Sequence, residues 1–196
     1  ARTSRIDRAL TIVQRACLAG EGLVSVEQLA RAAPLRLVFL RSGADDAEEQ
    51  ILEKLQFGPI DLRIRKSSTI ARLVEEVSAG EPDVLHMSTP DLAEHLELGL
   101  SYLAQHPRLI VLATSDCESL LGPLTAFADV AIGFAGQVTD DVARESMLAF
   151  YERAFAGTTI DAALAHARVM ADSLVVGAGA GLIARARPEI DTASYV

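Results

Sequence analysis

Leu109–Ser119 reads LIVLATSDCES, and its first half decides the fold. Leu109–Ala113 is the most continuous aliphatic run in the chain, and it stops at the polar Thr114-Ser115-Asp116. A short unbroken apolar run between turn residues is the pattern of a strand buried on both faces, which is the environment of a parallel sheet. The flanking segments agree. Upstream, Asp83–Met87 is a second such strand, set off by Gly80 and Pro82. Between the two, Asp91–Gln105 repeats Leu92, Leu96, Leu100 and Leu103 at helical spacing. Downstream, Ala128–Phe134 gives a third apolar run.

Further out the alternation continues. Leu35–Leu40 reads as a buried strand, and Ala44–Gln56 as an amphipathic helix with Asp45, Asp46, Glu48 and Glu49 at its start, where the macrodipole favours negative charge. Ile60–Arg65 alternates Ile60, Leu62 and Ile64 with charged residues, the period of a half-exposed strand near a sheet edge. Ser68 or Thr69 caps a helix through Ser78. Thr139-Asp140-Asp141 opens a long helix to about Ala156, with Ala143, Met147, Phe150, Tyr151 and Phe155 as anchors; Gly157 ends it, and Thr158 or Thr159 starts another through about Ala171. Leu174–Val176 and Gly181–Ala184 read as short strands. Residues 3–19 and 26–33 read as a helical pair. Strands alternating with helices predict a three-layer α/β/α domain with a mostly parallel sheet. It is expected over residues 35–187, after an N-terminal helical segment 1–34 and before a poorly ordered tail 188–196.

Composition narrows the function. The 196 residues are 50% hydrophobic with mean hydropathy +0.26, so a core can form without metal or disulfide staples. The net charge of −9 opposes non-specific nucleic-acid binding and docking to an anionic membrane. No apolar stretch approaches the roughly 20 residues that span a bilayer. Two cysteines, Cys17 and Cys117, make no disulfide framework and suit a reducing cytoplasm. The chain begins at Ala1 without Met, which is expected of a piece of a larger polypeptide.

In an α/β sheet, sites gather beyond the carboxyl ends of the strands. The loop after Leu109–Ala113 carries Asp116-Cys117-Glu118-Ser119, which places a thiol where a nucleophile could meet a carbonyl, with the next backbone amides toward an oxyanion. The carboxylates of Asp116 and Glu118 oppose a thiolate, so activation requires an imidazole. His86 ends the neighbouring strand and is the candidate base; a core histidine is the competing reading. His95 is expected to face solvent, and His106 and His166 to be structural. No His or Cys pair has metal-ligand spacing, so no metal and no cofactor is expected. Asp45-Asp46 is a weak receiver-like metal pair, and Gly177-Ala178-Gly179-Ala180-Gly181 reads as a flexible turn or a tight strand crossing and not as a phosphate loop.

In order along the chain, Ser68–Met87 (STIARLVEEVSAGEPDVLHM), Leu109–Ser119, and the helical pair with Asp140-Asp141-Val142-Ala143, Phe150-Tyr151 and Ala162-Ala163-Leu164-Ala165 resemble the CHAT domains of the caspase–hemoglobinase fold. The resemblance implies a cysteine-peptidase frame in which Cys117 stands at the nucleophile. It also places the family's catalytic histidine on Pro90 and the following glycine on Asp91, leaving only the first, non-catalytic histidine, His86. Proline has no titratable group. What the resemblance implies is therefore a degenerate caspase-like domain, a pseudoprotease that binds a protein partner or peptide as a scaffold or regulator in bacterial signalling or conflict. An active cysteine endopeptidase using Cys117 with His86 is the alternative, and a receiver- or TIR-like signalling module is a further one.

Overall fold

The computed structural model describes residues 35–41, 60–66, 74–75, 79, 82–88, 96–102, 106–190 and 192. Six strands are formed: Leu35–Arg41 (β1), Ile60–Lys66 (β2), Val84–Met87 (β3), Leu109–Leu112 (β4), Val130–Phe134 (β5) and Leu182–Ala186 (β6). They lie in one sheet in the order β2-β1-β3-β4-β5-β6. The first four pairings are parallel, and β6 joins β5 antiparallel, with Phe134 opposite Leu182. The expected mostly parallel α/β sheet is thus what the chain builds, with the alternating segment Ile60–Lys66 at its edge. The N-terminal helical pair and the helix expected over 44–56 lie outside the described residues, as do most of the helices expected over 68–78 and 91–105, of which 74–75 and 96–100 are helical.

The helices that position the site follow from local signals. Leu96–Leu100 (α1) precedes β4, and Glu118–Leu124 (α2) follows it. Asp140–Phe155 (α3) is capped by Thr139, whose side chain accepts from the Val142 amide, with Asp140 and Asp141 in its first turn and Arg153 in its last. Gly157, at φ +83°, lets the chain turn into Ile160–Leu174 (α4), which is capped by Thr159 in the same way. Ala178–Gly181 (α5) is a single short turn leading into β6.

Strand alternation divides the interior into two cores, one on each face of the sheet. Leu37, Val84, Val111, Ile132 and Phe134 meet Met147, Phe150 and Tyr151 of α3 and Ala163, Leu164 and Ala167 of α4 on one face. Val38, Leu85, Met87, Ile110, Leu112 and Ala131 meet Leu96 and Leu100 of α1 and Leu121 and Leu124 of α2 on the other. Each large aliphatic or aromatic side chain buried this way contributes about 1.5–3 kcal/mol relative to its exposed state.

Two expectations at the C-terminal end are corrected. Leu174–Val176 is not a strand: α4 continues to Leu174, and only Val175 is extended, as its cap. The final strand begins at Leu182, because Ala178–Gly181 forms α5. Just beyond β6, Arg187 donates its amide to Asp129 O, and Ile190 packs against the α3/α4 core.

Candidate functional site

The carboxyl ends of β4 and β5 carry two loops bonded to one another. Ser115 Oγ donates to Val138 O (3.1 Å) and accepts from the Val138 amide (2.9 Å). The Asp116 amide donates to Gly136 O (3.2 Å), and the Cys117 amide to Phe134 O (2.7 Å). Asp116 adopts φ +55°, an uncommon conformation for a residue with a side chain, and its carboxylate accepts from Gln137 Nε2. That turn leads the chain from β4 into α2 and places Cys117 at the position before the helix.

Cys117 is 1% exposed, in the core shared with Leu112, Leu121 and Ala131. Close approach is possible because Gly133 lies beneath it: a Cβ on Gly133 would stand 3.1 Å from Cys117 Cβ and 3.2 Å from Leu121 Cδ2. The thiol donates to Thr114 O at 2.9 Å. Burial pushes the thiol above its ordinary pKa, and the Asp116 carboxylate pushes it the same way. A sulfur held protonated, covered and bonded to a carbonyl is not presented to a substrate. The Cys117 amide is committed to Phe134 O, so it does not point at an oxyanion position.

His86 sits elsewhere. It is 1% exposed in the middle of the sheet, and in register with Val111 it projects into the α3/α4 core. There its Nδ1 shares a 2.7 Å hydrogen bond with the Tyr151 hydroxyl, the ring centroids being 5.7 Å apart. The sheet therefore lies between His86 and Cys117: one belongs to the α3/α4 face, the other to the α1/α2 face. The proposed base and nucleophile are not brought together.

The remaining predicted positions flank the thiol at the surface. Glu118 is exposed and accepts from Arg185 Nη2 at 3.3 Å, and Ser119 is exposed on the first turn of α2. Pro90, Asp91, His95 and Asp45-Asp46 lie outside the described residues. His106 is exposed, edge-on to Phe127 at 5.6 Å, and His166 is half-buried on α4. Among the described residues no group of three or more acidic, His or Cys side chains could hold a metal ion, and no helix is long and apolar enough to cross a membrane. The Gly177–Gly181 stretch is a tight crossing: Gly177 turns at φ +86°, and the Gly179 amide donates to Asp172 Oδ1 at 2.8 Å.

Sequence reasoning missed Tyr151 as the partner of His86, and Gln137 and Arg185 as partners of the cysteine loop. Tyr151 was legible as a core anchor, and a buried tyrosine needs a polar partner, as does a buried histidine; that shared need was the available signal.

No protein-family profile matches the chain, and no curated protein does. Among solved structures, it is similar to the X-ray structure of an inactive zymogen C11 protease from Parabacteroides distasonis, at 10% identity and a TM-score of 0.45. That match covers 72% of this chain and 60% of the other, so this chain spans less than two thirds of that protein's length.

Proposed function

We propose that this chain is a degenerate caspase-like domain of the CHAT type that acts by binding a protein or peptide and not by cleaving one. A cytoplasmic scaffold or regulator in a bacterial-type signalling or conflict system is the corresponding role. The single observation that supports this reading is the separation of Cys117 from His86 by the sheet. General-base catalysis needs an imidazole within hydrogen-bond reach of the sulfur. His86 instead bonds Tyr151, and the thiol bonds a backbone carbonyl. The presence of Pro90 at the family's catalytic-histidine position agrees.

Strand order bears on the receiver-like alternative. The order β2-β1-β3-β4-β5 is the flavodoxin-like order that receiver modules share, so those five strands do not separate the two readings. The antiparallel β6, added at the sheet edge, is an extension beyond that five-stranded order.

The test is alkylation of Cys117 by iodoacetamide across pH in a Cys17→Ser background. The expected result is slow native-state reaction, with an inflection at or above the ordinary thiol range that His86→Gln leaves in place. An inflection well below pH 7 that His86→Gln abolishes would refute the proposal. So would peptide cleavage by the purified chain that Cys117→Ala removes.

A further inference from the structure

Three positions of the edge strand engage one helix. Along β6 and just past it, Ile183, Arg185 and Arg187 share a face by strand alternation. Ile183 packs against the α1/α2 core. Arg185 Nη2 donates to Glu118 Oε1 at 3.3 Å, and Glu118 is the first residue of α2. Arg187 Nε donates to Thr125 O at 3.3 Å, and Thr125 is the residue that closes α2. The strand therefore grips the helix at both ends. Arg187 is itself anchored, with its amide on Asp129 O at 2.9 Å and its Nη1 3.6 Å from Asp129 Oδ1.

The helix has little of its own to hold it. Seven residues are too few for a helix that stands alone. Pro123 removes an amide donor from it, and Cys117 at its N-cap makes no side-chain cap bond. Its buried side chains are Leu121 and Leu124, while Glu118, Ser119, Gly122 and Pro123 are exposed. The loop before it is held more firmly, by the two Ser115–Val138 bonds and by the Cys117 amide on Phe134 O. Cys117 belongs to the core that this helix closes.

We infer that β6 is a strap that holds α2 closed over Cys117, and that the thiol meets solvent by release of this strap and local opening of α2, with the parallel sheet intact. Arg187 is the firm catch. The Arg185–Glu118 pair is the labile one, because both side chains are about half exposed (49% and 57%) and open to screening by salt. The open form is a minor native-state fluctuation, reached below the free energy of global unfolding. Equilibrium unfolding therefore still removes both cores together. The strap governs access to the sulfur whether the domain binds or cleaves, so it stands apart from the non-catalytic reading.

The test is the rate at which iodoacetamide alkylates Cys117 at pH 8 in a Cys17→Ser background, in buffer and at rising urea below the unfolding transition. Opening of one seven-residue helix exposes little surface, so the rate should climb with urea on a slope well under that of global unfolding. Without urea, Arg187→Gln should raise the rate about tenfold, and Arg185→Gln about two- to fivefold. Glu118→Gln should match Arg185→Gln, and combining the two should add nothing, because they break one pair. High salt should act as Arg185→Gln does, and should leave the Arg185→Gln protein unaffected. Arg144→Gln breaks a pair with Asp141 on α3 and should not change the rate. A rate that follows the global unfolding slope from zero urea would overturn the inference, and so would rates indifferent to Arg187→Gln and Arg185→Gln. Neither result touches the non-catalytic reading, which falls only on the pH inflection lost in His86→Gln and on peptide cleavage.

Discussion

The sulfur of Cys117 and the imidazole of His86 each have a local reason to be where they are, and neither reason is catalysis. The thiol fills the space that Gly133 leaves over β5, and the imidazole answers the hydroxyl of Tyr151. Tyr151→Phe keeps the ring in the core but leaves the buried Nδ1 without that hydroxyl, which should lower stability by about 1–3 kcal/mol. Urea unfolding at pH 7.5 measures it, and an unchanged midpoint would show that the bond contributes nothing. The thiol makes a prediction of definite sign. Its pKa is raised in the folded state, so its contribution is complete below the unfolded value of about 8.5 and is lost as pH rises toward the folded value. In a Cys17→Ser background the unfolding midpoint should fall with alkaline pH more steeply than when Cys117→Ser is added. Parallel curves would contradict the raised value.

At the scale of elements, the crossing from α4 to β6 is close-packed. A Cβ on Gly179 would lie 2.4 Å from Arg168 O and 2.8 Å from Asp172 Oδ2, and the first of these is backbone. Gly179→Ala must therefore displace α5 from α4, at about 1–3 kcal/mol, the usual range for overpacking. A thermal melt would check it, and a wild-type melting temperature would show that the crossing yields freely. The sequence made α3 and the start of α4 legible almost to the residue, because Thr139 and Thr159 cap them and Met147, Phe150 and Tyr151 mark the inner face of α3. It did not reveal α2, whose seven residues include Pro123 and expose Glu118 and Ser119, too short a span for periodicity to register. Nor did it reveal that α4 runs through Leu174, since Leu174-Val175-Val176 has strand propensity. Of the candidate site, the positions of Cys117 and His86 near strand ends were readable. Their separation was not. His86 shares the parity of Val84, and that sets its face. Cys117 lies beyond the strand, where the left-handed turn at Asp116 sets the face instead.

At the scale of the molecule, one sheet is the shared wall of two cores, and neither core closes without it. Val111 and Ile132 project to the α3/α4 side, while Ile110 and Ala131, their neighbours in sequence, project to the α1/α2 side. A loss of packing on either face therefore loosens backbone that the other face needs, and the two cores should unfold together. Phe150→Ala removes a ring from one core, at about 3–5 kcal/mol, and Leu121→Ala an aliphatic side chain from the other, at about 2–5 kcal/mol. The chain has no Trp, and of its three tyrosines Tyr151 lies in the α3/α4 core, so in a Tyr102→Phe, Tyr195→Phe background tyrosine fluorescence reports that face while far-UV circular dichroism follows the whole backbone. In urea the two signals should coincide for that background and for both variants made in it, with lowered midpoints and unchanged slopes in the variants. If Leu121→Ala separated the curves, with the dichroism lost before the tyrosine signal, the α1/α2 face would be an independent layer, and burial of Cys117 would no longer be tied to the stability of the sheet.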